Sequence, residues 1–301
     1  MESFTHCGFR FESSSSAISN AGTLETISHS LFGDAEPGAT WAPPPLPEQT
    51  FGSNALTITH VQTGESLSFT TRGALRTWNA QQISRLGIEH AHATLFDWTY
   101  TCPYDGDFNG PNMPHLAPLE GVEASLPLER LVARTPILHY AVVPLFADEL
   151  HDRGHSEVGV KLRVQPDCFL VLLQSFVRID GERVWLREVR WYVELEPRGA
   201  AATSAGWCDG LVWKDVQLRR GSVAQVRAAL ASSSSLATTP SATRSAQGDV
   251  DSSTSGGGSA DEGGLRVREG VLASDVAAVL TPECTEVRAT SAVHLRRMSR
   301  Q

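Results

Sequence analysis

Two imidazoles and a carboxylate lie close together at His151, Asp152 and His155. His-Asp doublets ligate transition metals in phosphohydrolases, where the ion polarises a phosphoryl oxygen and activates water. Such sites need further His and Asp ligands from other elements, and no second doublet stands among the ten histidines. Gly154 also interrupts the helical spacing that would set His151 and His155 on one face. A polar turn, with Asp152 accepting backbone hydrogen bonds, is the stronger reading. A metal-dependent hydrolase using His151, Asp152 and His155 remains the alternative function. Asp148 and Glu149 are neighbouring carboxylates, but neighbouring side chains diverge on helix and strand alike. The chain has no Gly-x-Ser-x-Gly elbow and neither of the glycine-rich loops that cradle phosphates. No catalytic constellation and no cofactor emerge, and the chain is not expected to be an enzyme.

Recognition chemistry is better represented. Trp185, Trp191, Trp207 and Trp213 fall close together, interleaved with Arg183, Arg187 and Arg190. Trp and Arg are enriched at interaction hot spots. Two of the four tryptophans are assigned to the core. An arginine such as Arg187 beside an apolar slot would suit a peptide's terminal carboxylate through a bidentate, charge-assisted hydrogen bond.

These residues sit in a run of strand-like alternation. Val158, Val160, Leu162 and Val164 share one face of an extended chain, with Gly159, Lys161 and Arg163 on the other. An apolar segment from Cys168 to Val177 ends at Arg178-Ile179-Asp180-Gly181, whose Asp-Gly pair suits a tight hairpin turn. The return run places Val184, Leu186 and Tyr192 on one face and Trp185, Val189, Trp191 and Val193 on the other. Upstream, Ala55 to His60 and Leu67 to Thr70 alternate as strands, Ala74, Leu75, Trp78 and Ile83 suggest a helix ending near Gly87, and Leu95 to Thr101 alternates again. This order predicts an α+β fold, a single domain of packed, mostly antiparallel sheets with a few flanking helices.

Boundaries follow from composition. Residues 1–40 read as a flexible N-terminal region and 41–230 as the domain, entered through the stiff Pro43-Pro44-Pro45-Leu46-Pro47 segment. Residues 231–264 read as a disordered insertion, because 25 of the 34 positions are Ser, Thr, Gly or Ala. Residues 265–301 read as an appendage with a short helix over Gly270 to Leu280, stopped by Pro282. Hydrophobic residues make up 41% of the 301 positions, an ordinary globular content. A net charge of −9 argues against general nucleic-acid binding. The five cysteines are scattered with no Cys-x-x-Cys pair, so neither a disulfide framework nor a closed zinc site is expected. Residues 1–20 lack the apolar core of a secretory signal, and the longest apolar run is about half the ~20 residues a membrane span needs. The expectation is a soluble, cytoplasmic chain, with the nucleus as a second location and no membrane partner.

Four blocks occur in a particular order: Leu46-Pro47-Glu48 with Phe51-Gly52-Ser53-Asn54; Asp97-Trp98-Thr99-Tyr100-Thr101; Leu145 through Gly154; and Val160 to Val164 running on to Gly181. In these the chain resembles the TIPRL, or Tip-forty-one-like, regulators of TOR signalling. The resemblance implies a non-enzymatic regulator that binds and restrains the catalytic subunits of type-2A serine/threonine phosphatases, including the type-4 and type-6 enzymes. It further implies contact with the phosphatase C-terminal tail and, in fungi, with an alpha4-like phosphatase-associated protein. Groove positions carried over by the resemblance are Leu126, Leu186 and Trp207, with Arg72 to Arg76 as one wall. Family members carry an acidic residue just before Ala74-Leu75-Arg76, where this chain has Gly73.

Overall fold

Period-two alternation builds nearly everything in the computed structural model, which describes residues 1–32, 46–76, 104–110, 135–149, 154–195, 212–236 and 271–290. One antiparallel sheet of five strands joins β1 (Glu2–His6), β2 (Phe9–Ser14), β4 (Ala55–His60), β5 (Ser66–Thr70) and β6 (Asp107–Asn109), in that order. A second has seven strands in the order β12, β11, β10, β9, β8, β7, β3. Its members are β3 (Gln49–Thr50), β7 (His139–Asp148), β8 (Gly154–Val164), β9 (Cys168–Ile179), β10 (Arg183–Glu194), β11 (Val212–Ser222) and β12 (Cys284–Thr290). Three helices flank them: α1 (Ala21–Phe32), α2 (Val223–Leu236) and α3 (Ala273–Val279). Residues 71–76 are also helical, at the start of the helix expected there. Trp78, Ile83 and the expected strand from Leu95 to Thr101 lie outside the described residues. The α+β architecture of antiparallel sheets with few helices is as expected.

The sheets pack face to face. Phe9, Phe11, Leu56, Ile58, Leu67 and Phe69 from the five-stranded sheet share one core with Val143, Val160, Leu162, Phe169, Val171, Val189 and Val193 from the seven-stranded one. Phe11 and Phe9 meet Phe169 edge-on, at 5.2 and 5.4 Å between ring centres. Such pairs add specific geometry to the area they bury. The β9–β10 hairpin turns where Asp180-Gly181 places it, with Gly181 at φ 78°.

Three boundaries need correction. Residues 1–40 were expected to be flexible, yet β1 and β2 form a hairpin through Cys7 and Gly8, both at positive φ. Phe9 and Phe11 alternate inward from it, and that burial offsets the entropy of ordering the segment. The insertion does not begin at 231, because α2 runs on to Leu236. Val223 and Val226 anchor its buried face, and alanine, the best helix former, carries it onward. Residues 265–301 are more than an appendage: the short helix forms as α3, but β12 then pairs with β11 from Val212↔Thr290 to Leu218↔Cys284.

No strand crosses from one sheet to the other among the described residues; a buried polar joint connects them instead. Asn54, 1% exposed, accepts hydrogen bonds at Oδ1 from the Ser16 amide (2.6 Å) and hydroxyl (2.9 Å). Its Nδ2 donates to the Pro144 carbonyl of β7 at 2.7 Å. Thr71 donates through Oγ1 to Phe51 O (2.6 Å) and Leu145 O (3.1 Å). A Cβ on Gly52 would stand 2.6 Å from the Ile27 Cδ1 of α1 and 2.9 Å from the Ser19 hydroxyl, so glycine here lets both side chains close on the joint without shifting. The Phe51-Gly52-Ser53-Asn54 block is thus a structural corner. Replacing Asn54 by Asp changes one atom group, removes the donor to Pro144 O and sets an anion against a buried carbonyl. The Asn54→Asp variant should lose about 1–3 kcal/mol in urea unfolding, whereas a change at half-buried Thr57 on the outward face of the same sheet should lose far less.

Candidate interaction face

The seven-stranded sheet turns one face to the core and the other outward, and the outward face is divided into bands by its register. Val184, Leu186 and Phe176 form an apolar band covered by Val223 and Val226 of α2 and by Ala273 and Val276 of α3. Beside it runs a polar chain across β8 to β11. Lys161 Nζ donates to Gln174 Oε1 (3.1 Å), and Gln174 Nε2 to Glu188 Oε1 (3.0 Å). Arg219 donates to Glu188 Oε2 (2.6 Å), to Gln217 Oε1 (2.6 Å) and to the Leu280 carbonyl (2.9 Å). Arg190 pairs with Asp215. Glu188 and Arg219 are almost fully buried, so each needs the other: removing one partner would strand a buried charge.

On the core face, a second ionic cluster fastens the segment before β6 to the sheet. Arg187 donates to Asp105 Oδ1 (2.6 Å) and to the Tyr104 carbonyl (3.1 Å). Lys214 also pairs with Asp105, and its ammonium lies 5.3 Å from the Trp191 ring centre. Burial alone would raise the Asp105 pKa, but Arg187 and then Lys214 outweigh it and hold the carboxyl below its usual range near 3.8. Next to this cluster Tyr104 accepts a hydrogen bond from the Thr70 amide (3.0 Å) and donates to Asp107 Oδ2 (3.2 Å). Burial pushes its hydroxyl pKa well up, and the nearby Asp107 charge adds to that.

This corner accounts for Gly73. A Cβ there would collide with Asp107 Oδ2 and with the Tyr104 hydroxyl, 2.7 Å away. A carboxylate therefore does stand at this spot, supplied by Asp107 from β6 rather than by residue 73.

The sequence-derived site residues are dispersed by the fold. Arg72 and Arg76 are exposed on the helical residues 71–76. Leu126, Trp207, His151 and Asp152 lie outside the described residues. Leu186 is fully buried beneath α2 and α3 and forms no open groove floor, because its neighbours Val184 and Phe176 make a helix-docking stripe. Arg187 points to the core side and is held by Asp105, away from any slot on the outward face. His155, at the start of β8, contacts Glu157 at 3.3 Å, and no group of three His, Cys, Asp or Glu suited to a metal occurs among the described residues. Trp185 and Trp191 are core residues, as two of the four were expected to be, and Trp213 tilts over Tyr192. Asp105, Lys214 and Glu188 were missed. Their partners come from β10, β11 and the segment before β6, and no local spacing encodes that meeting.

Residues 49–226, more than half of the chain, match the TIP41-like family. This chain belongs to that family. The human TIP41-like protein is 37% identical over 169 residues, which cover 51% of this chain and 60% of the relative. The Schizosaccharomyces pombe type 2A phosphatase activator tip41 is 29% identical over 167 residues, 50% of this chain and 64% of the relative. The Saccharomyces cerevisiae type 2A phosphatase activator TIP41 is 35% identical over 126 residues, 42% and 33% of the two chains. The chain thus spans less than two thirds of the length of these relatives. The β1–β2 hairpin, α3 and β12 fall outside the span matched to the family.

Two outcomes test this face. Gly73→Asp alone should lower stability by about 1–3 kcal/mol through overpacking, and Gly73→Asp with Asp107→Ala should recover most of it in the same denaturation assay. Because the folded pKa of Asp105 is depressed, its contribution is present above the ordinary value and is lost as pH falls through the folded one. Asp105→Asn should therefore lower the melting temperature at neutral pH and flatten its fall below about pH 4.

Proposed function

We propose that this chain is a non-enzymatic regulator of type-2A-family serine/threonine phosphatases, acting by binding the catalytic subunit. Membership of the TIP41-like family carries this reading, and the two fungal relatives named as type 2A phosphatase activators give it its direction. The described titratable groups fit a binding role, since Asp105, Glu188 and Asp215 are engaged with internal cations that hold the sheet together. The proposed partners extend to the type-4 and type-6 subunits, to their C-terminal tail and to an alpha4-like protein, in TOR signalling in the cytoplasm and nucleus. Arg72 and Arg76 are exposed and suit an acidic surface or a terminal carboxylate. Leu126 and Trp207 complete the proposed tail contact. Leu186 supports it from beneath the helices.

Pull-down with purified type-2A catalytic subunit, intact and tail-deleted, tests both levels of the proposal. Retention of the intact subunit and weaker retention of the tail-deleted one is the expected result, with Arg72→Glu/Arg76→Glu reducing the first. Failure to retain either form removes the partner. Equal retention of both keeps the partner and removes the tail. Phosphatase activity of the bound subunit on a phosphopeptide gives the sign, which the fungal names set as activation and the family resemblance sets as restraint.

A further inference from the structure

The outward face of the seven-stranded sheet has a third band, on the side of the polar chain away from α2 and α3, and no described element covers it. Ile137, Leu138, Tyr140 and Val142 are 53, 40, 54 and 49% exposed in one continuous stretch entering and forming β7. Isolated exposed apolar residues are ordinary, but four within six positions, two of them on β7, are a patch. The register sets Tyr140 beside Arg163 and Val142 beside Lys161 of β8, with Leu170 and Leu172 of β9 one strand further in.

Among the described residues this stretch is also an open sheet edge. β3 covers β7 only at Phe146 and Ala147. The Pro144 carbonyl points away from β8, since it accepts from Asn54 Nδ2. Backbone direction alternates along an antiparallel strand, so the N–H and C=O groups of Val142 and Tyr140 point outward as well. Proline at 144 agrees with this, because an outward position needs no ladder donor.

Of the two cations beside the patch, Arg163 has no acidic partner among the described residues. Arg163 Nε is buried with no hydrogen-bond partner among the described residues, and its guanidinium has no carboxylate within salt-bridge distance among them. Lys161 donates to the neutral Gln174, and Glu157 on the same face is held below its ordinary pKa first by the His155 hydrogen bond and in part by the Lys161 charge. A second copy of this chain would set two such cationic edges together, which disfavours self-pairing.

We infer that the free edge of β7 from Tyr140 to Val142 takes up an extended segment of a partner protein as an added strand, one that carries a carboxylate flanked by apolar side chains on the face shared with Arg163 and Lys161. Main-chain hydrogen bonds to Tyr140 and Val142 would give affinity, and the side-chain pattern specificity. The cations lie one strand inward, about 5 Å from β7, within reach of a Glu on the incoming strand. This surface is distinct from Arg72, Arg76 and the helix-covered band.

The test uses the full chain and a fluorescein-labelled peptide, Gly-Thr-Leu-Thr-Glu-Thr-Leu-Thr-Gly, read by anisotropy. Saturable binding is expected, weakened about fivefold when Lys replaces the peptide's Glu and abolished when the Leu and Thr positions are shuffled. Val142→Pro leaves the ladder to β8 intact but deletes an outward donor, so it should keep its melting temperature and lose the peptide. Arg163→Glu should reverse the preference in favour of the Lys peptide, a readout that holds even if Val142→Pro fails to fold. Equal binding of the Glu and Lys peptides, full binding by a folded Val142→Pro, or a dimer in light scattering that Val142→Pro dissolves would each overturn the inference.

Discussion

The joint at Asn54 and Thr71 governs how the two sheets sit on each other. Hydrophobic contact between sheet faces is strong but non-directional, and the aromatic and aliphatic residues of the shared core would tolerate sliding. Hydrogen bonds do not. Asn54 ties the Ser16 segment after β2 to β7 through Pro144, while Thr71 reaches Phe51 and Leu145 from the end of β5. Asn54 and Thr71 are buried, so breaking their bonds leaves a desolvated donor or acceptor unpaired. The bulge in β7 between Pro144 and Phe146 fits the same need: it turns the adjacent carbonyls of Pro144 and Leu145 both toward the joint.

With the sheets fixed in this way, the seven-stranded sheet carries different chemistry on its two faces. Its inner face is almost wholly apolar, interrupted by the Arg187–Asp105–Lys214 cluster that clamps the segment before β6. Its outer face grades from helix-covered, through a row of hydrogen-bonded charges, to an exposed edge. The middle row has a clear physical task. Buried ion pairs contribute little net stability, but they penalise any register in which Glu188 and Arg219 fail to meet. The row thus aligns β10 and β11 and, through the Arg219 bond to Leu280, places α3 over Leu186.

The described structure extends beyond the span matched to the family. The matched span starts at β3 and ends within α2, whereas Leu186 is sealed partly by α3, which follows it. A position that the family resemblance assigns to a groove is therefore closed in this chain by a segment beyond the match. Gly73 is a similar case, because Asp107 brings its carboxylate to the spot that a side chain at 73 would fill.

The strands from β8 to β10, their faces, the Asp180-Gly181 turn and the α+β class were all legible from the residues, because two-residue alternation and turn chemistry are local properties. The ordered N-terminal hairpin left a signal in the alternation of Phe9 and Phe11, masked by the serine run after it. Other features had no local signature. Leu186 reads equally as groove floor or helix seat, and only the docking of α2 and α3 decides between them. Arg187 reads as a free carboxylate ligand until Asp105, 82 residues away, is folded against it. Tertiary structure alone also isolated Arg163 beside the open edge of β7. The sequence determined which residues face which side of each strand; the long-range return of the chain decided what covers them, since burial and pairing depend on contacts that spacing along the chain does not contain.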